Sequence, residues 1–163
     1  MNVIGHEFPQ VLQKGKFKYI LESELHDHYL LTLNNDLVNI LINFFKNGLK
    51  DWTSVVQFVE EDNDYLKFEY KDYKELNMAS MLTKHRPNLK SVLTSLHNQT
   101  LQTKFMYNDQ EYYIGPNDNY YKNFMIDEED NIVMIDVDSF RILRKDAIKE
   151  MLYITFRDST IKI

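Results

Sequence analysis

Two short apolar runs, Phe124-Met125-Ile126 and Ile132-Val133-Met134-Ile135, stand on either side of a polar, acidic stretch at 127–131. Runs of that length, parted by turn-forming residues, fold as the two strands of a hairpin rather than as helices. This hairpin is the tightest constraint in the chain, because it also places what flanks it. Asn123 comes just before the first strand and Asp136 just after the second, so both belong to one end of the ribbon. The full stretch, residues 115–140, reads GPNDNYYKNFMIDEEDNIVMIDVDSF, with Asp118 on the approach to Asn123.

Taken singly, Asp118 and Asn123 are ordinary turn residues, since Asn and Asp hydrogen-bond their own backbone. Asp136 and Asp138 are different, because they interrupt a good strand, and strands are poor in Asp. Mg²⁺ carrying a polyphosphate takes hard oxygen ligands, commonly one or two carboxylate or amide side chains with phosphates and water. Transfer of a terminal phosphoryl group also needs a carboxylate that orients the attacking hydroxyl and accepts its proton. Asp118, Asn123 and Asp136 have the right donor types for those tasks.

Around this stretch the pattern alternates between strand and helix. Residues 11–33, with KFKYILESE and HYLLTL, read as an antiparallel meander, and Lys14-Gly15 marks an earlier turn. Leu37, Ile40, Leu41, Phe44 and Phe45 fall at helical spacing behind Asn35 or Asp36 as cap, and Gly48 ends the helix. SVVQFVEE and DYLKFEY predict a hairpin around EDND. KDYKELNMASMLTK predicts a helix ending before Pro87, and Pro87 opens another with Leu89, Val92, Leu93 and Leu96 inward. FMY and EYYIG read as short strands, and KDAIKEMLYI as a last short helix. Trp52 is expected to pack the end of the first helix, and Met78 and Met81 to fill the core. The expected class is α+β, with a β-rich front half, a helical back half and a seam near 70–76.

The stretch at 115–140 resembles the protein-kinase-like superfamily, including its aminoglycoside and choline kinase branch. That family carries Asp, then Asn five residues on, then a hairpin ending in a metal-binding Asp, and D118-NYYK-N123-FMIDEEDNIVMI-D136 matches both spacings. SLHNQT is similar to the helix that precedes the family's catalytic loop, and YLKFEY to the strand and hinge beside the adenine. The resemblance implies a reduced two-lobed protein-kinase-like fold: residues 1–73 as an antiparallel N-lobe sheet with one helix, residues 74–163 as a truncated helical C-lobe. It implies ATP and Mg²⁺ as cofactors, Asp118 as catalytic base, Asn123 and Asp136 as metal ligands, and Lys18 and Glu69 on the nucleotide. A protein or small-molecule hydroxyl would be the phosphate acceptor.

The chain also departs from that family. Pro116 stands two residues before Asp118, where the family usually has His; Gly15 is isolated; HYLLTL lacks a lysine; and DLVNILINFF lacks a glutamate. These departures keep open a catalytically dead pseudokinase, or an unrelated α+β binding module that regulates a partner protein.

Composition excludes several other classes. A net charge of −6 argues against a non-specific grip on nucleic acid. The absence of cysteine removes disulfide scaffolds and thiolate metal sites. The first ten residues show no basic flank followed by an apolar run, and no apolar stretch spans a bilayer, so a cytoplasmic protein without membrane contact is expected. Asp127 begins a calcium-loop-like run, but Ile132 occupies the position that requires glycine. DVD at 136–138 also fits the metal-binding pair of a glycosyltransferase, and His26 and His28 around Asp27 a metal-binding turn. Nothing in the sequence sets the oligomeric state.

Overall fold

A computed structural model describes residues 10–14, 35–117, 119–148 and 152–163. The chain divides between Lys71 and Asp72 into two compact units. The architecture is α+β with small antiparallel sheets.

In the first unit, strand β1 (Gln10–Gln13) pairs with β3 (Tyr65–Phe68), which also pairs with β2 (Phe58–Glu61). The register sets Leu12 opposite Leu66, and both are buried. Helix α1 (Asn35–Asn47) buries Leu37, Leu41, Phe44 and Phe45, the stripe its spacing predicts. Phe45 meets Phe68 of β3 edge-to-face at 5.7 Å, which ties the helix to the sheet. Trp52 packs edge-on against Phe44 at 5.5 Å, as expected of it.

A 3-10 turn (Gly48–Asp51) follows α1. The Gln57 amide nitrogen donates to the carbonyls of Leu49, Trp52 and Val55 at 3.0, 3.0 and 3.1 Å, satisfying acceptors of the kind that a helix end leaves open. The EDND hairpin forms as predicted, though its first strand begins only at Phe58. Asp62 holds its turn by accepting the amides of Asp64 and Tyr65 at 2.9 and 2.8 Å. Those two backbone donors keep its carboxyl below the usual range. Of the expected meander at 11–33, residues 15–33 lie outside the described residues; β1 pairs with β3, distant in sequence.

The second unit corrects the expectation of a helical back half. It holds two helices, α2 (Met78–Leu82) and α3 (Arg86–Leu101), and among the described residues all its other regular elements are short strands and 3-10 turns. The segment predicted as one helix over 71–84 splits. Lys74–Glu75 forms β4, paired with β7 (Phe124–Ile126), and Asn77 then caps α2 by accepting the Ser80 amide at 2.8 Å. Met81 is buried, but Met78 is 43% exposed and fills no core. In α3, Pro87 sits in the first turn, and Leu89, Leu93 and Leu96 are buried as the spacing predicts.

Strand β5 (Phe105–Tyr107) turns through Asn108 and Asp109, at φ 49 and 65, into β6 (Gln110–Pro116), and β6 pairs with β9 (Phe140–Arg144). Positive φ at both turn positions matches strand twist in a two-residue hairpin. Strand β8 (Ile132–Met134) completes the β4-β7-β8 sheet. The segment predicted as a last helix instead gives a 3-10 turn (Lys145–Ala147) and, after 149–151 (outside the described residues), β10 (Tyr153–Thr155) paired with β11 (Thr160–Lys162). Tyr-Ile-Thr suits a strand, and the hydroxyls of Thr155 and Thr160 meet across the pair at 3.2 Å. Among the described residues no helix is long and apolar enough to cross a membrane.

Candidate functional site

The candidate site lies where β6, the β7–β8 hairpin and β9 come together at their ends. It starts at Gly115, which has no room for a side chain: a Cβ there would lie 2.3 Å from Thr100 Oγ1 and 2.5 Å from Thr100 Cγ2. Glycine lets β6 lie directly on α3. One residue on, Pro116 pairs with Phe140, and the Asn117 amide donates to the Ser139 carbonyl at 2.9 Å. The chain before position 118 is thus tied to the turn that follows Asp136.

The chain after position 118 is tied as firmly. Asn119 is 2% exposed; its side-chain nitrogen donates to the Tyr153 carbonyl at 3.2 Å, and its own carbonyl accepts the Thr155 amide at 3.1 Å. A 3-10 turn (Tyr121–Asn123) follows, closed by the Asn123 amide on the Tyr120 carbonyl at 2.9 Å.

The hairpin then does what its sequence predicts. Phe124 pairs with Met134 and Ile126 with Ile132, and the ladder extends by one bond from the Ile135 amide to the Asn123 carbonyl, 2.8 Å. Asn123 therefore stands opposite Ile135, with Asp136 one residue further on at the same end of the ribbon. At the far end Asp127 Oδ1 accepts the amides of Glu129 and Asn131 at 2.9 and 2.8 Å, and Asp130 takes φ 63. Asp127 and Asp130 build this turn.

Asp136 opens a 3-10 turn (Val137–Ser139), where its Oδ1 accepts the Asp138 amide at 3.1 Å and its carbonyl accepts the Ser139 hydroxyl at 2.8 Å. The Arg141 guanidinium donates to the carbonyls of Asp138 and Phe140 and braces the same turn. Asn123 is 8% exposed, while Asp136 and Asp138 are half-buried. One carboxylate and one amide, both hard oxygen donors, fit the demands of Mg²⁺. Among the described residues there is no cluster of three His, Cys, Asp or Glu that could hold a metal.

The hairpin leaves Asn123 and Asp136 at the same end of the ribbon, and the segments on both sides of Asp118 are each tied by backbone hydrogen bonds. Asp118 itself lies outside the described residues, as do Lys18, His26 and His28. Glu69 belongs to the first unit, half-buried just beyond β3, with its amide on the Gln57 carbonyl at 2.8 Å. Sequence reasoning passed over Asn119. Its only signal is a place among Asn and Asp residues that all read as turn formers. Comparison of the chain with models of known families, with curated proteins and with solved structures gives no significant match.

Proposed function

We propose that this is a kinase-like protein that binds ATP with Mg²⁺ and transfers the terminal phosphate to a hydroxyl of a protein or small molecule. The observation that supports the reading is the register of the β7–β8 hairpin, which leaves Asn123 and Asp136 at the same end of the ribbon while Asn117 and Asn119 fasten the intervening loop. In this reading Asn123 and Asp136 supply oxygens to Mg²⁺, and the bound ion neutralises phosphate charge. Asp118 accepts the proton of the attacking hydroxyl.

A second reading, a pseudokinase or other binding module that regulates a partner protein, draws on a specific observation. Asn123 is buried and Asp136 caps a turn, so both side chains already serve the fold.

Thermal unfolding with and without ATP and MgCl₂ separates the two. A ligand at a hundredfold excess over its Kd stabilises the native state by about 2.7 kcal/mol. Asp136→Asn keeps an oxygen for the Asp138 amide and removes the charge that holds the cation, so it should lose the magnesium-dependent part of the shift. An unmoved melting curve for the native chain at millimolar nucleotide would reject the kinase-like reading and leave the regulatory one.

A further inference from the structure

We infer that Asn119 is the positioning residue of this site: its buried amide fastens the loop ending at Asn123 to the β10–β11 hairpin and so fixes where Asn123 presents its side chain. The inference rests on the reading of Asn123 as a magnesium ligand. Asn119 makes two bonds to β10, one from its side chain to Tyr153 and one from Thr155 to its carbonyl. Tyr120 and Thr155 also form an isolated parallel bridge. The next residue adds a ring contact, Tyr121 lying 5.2 Å from Phe156 at the end of β10.

The far side of the hairpin is also held. Arg86, in the first turn of α3, donates to the Lys162 carbonyl of β11 at 3.0 Å, and the Ile163 amide closes on the Leu152 carbonyl at 2.9 Å. The hairpin is therefore a brace strung between α3 and the loop. Side chains on loops hold a ligand geometry only when their supports are themselves locked. Asn123 receives one such lock from Ile135, just beyond β8, and, through the 3-10 turn, a second from β10. Anything that draws the hairpin off the loop removes the second lock and loosens the site without touching it.

The test uses the full chain with Asn119→Ala and, from the opposite side of the contact, Phe156→Leu. Amide exchange at Thr155, Asn123 and Ile135 should quicken by roughly five- to tenfold, the scale set by one lost hydrogen bond. Exchange along the β5–β6 pair should stay unchanged. Calorimetry with ATP should show a similar loss of affinity in the presence of MgCl₂ and none in its absence. Uniformly faster exchange throughout the second unit, or none at those three amides, would overturn the brace. If the native chain shows no magnesium-dependent binding, the ligand role of Asn123 fails, while localised exchange still decides whether Asn119 orders the loop.

Discussion

Gly115→Ala tests the close approach of β6 to α3. The new methyl would sit 2.3 and 2.5 Å from the branches of Thr100 and 2.9 Å from its Cβ, so something must move. Thr100 is fully buried, and its hydroxyl donates to the Leu96 carbonyl at 2.7 Å, so turning it away breaks a buried bond. β6 cannot simply retreat, because β5 and β9 hold both its edges. Overpacking of this kind costs about 1–3 kcal/mol, and the lost hydrogen bond adds about 1. We expect a loss of roughly 3 kcal/mol, a fall in Tm on the order of 10 °C for a chain this size. Thr100→Ala removes both branches and leaves the Cβ, which makes space for most of the methyl. In urea unfolding followed by circular dichroism, the double variant should therefore be more stable than the sum of the singles by at least about 1 kcal/mol. A Gly115→Ala protein within about 0.5 kcal/mol of native, or an additive cycle, would refute the reasoning.

Leu93→Ala in α3 should cost about 2–5 kcal/mol in the same assay, since Leu93 is completely buried. Asp130→Val should cost about 1–2 kcal/mol, because a β-branched residue must adopt the left-handed conformation at φ 63. Glu61→Gln tests pH dependence. Hydrogen bonds from Lys14 and then Lys46 hold the Glu61 carboxyl below its ordinary value of 4.5. A lowered pKa gives stability that is present above the ordinary value and lost as pH falls through the folded one. The variant should thus show a flatter decline of urea midpoint on acidification; an unchanged acid limb would count against the Lys14–Glu61–Lys46 ion pairs.

What could be read from the sequence was local. α1 and α3 declared themselves because Leu37, Leu41 and Phe45, and Leu89, Leu93 and Leu96, repeat at the period of a helix facing a core. The β2–β3 and β7–β8 hairpins were legible because each apolar pair is parted by an Asp whose carboxylate ties down the turn. β4 was illegible, since Lys74-Glu75 becomes a strand only by finding Met125 and Ile126. The segment around Tyr153 has an apolar spacing that also suits a helix, and its pairing with β11 overrides that pattern. Within the candidate site, the spacing showed that Asn123 and Asp136 share one end of the hairpin. The anchoring of the loop was hidden, because it depends on a buried amide meeting backbone from a strand more than thirty residues later.

The pairing of β4 with β7 has a kinetic consequence. Glu75 and Met125 are fifty residues apart, and closing a loop of that length costs about 3.5 kcal/mol of chain entropy before the two-residue ladder returns anything. The β7–β8 hairpin spans only a short turn and can close in roughly 1–10 μs. During refolding the edge of β7 should therefore wait, exposed, until α2 and α3 have condensed and delivered β4 to it. That interval is when a foreign strand could take β4's place.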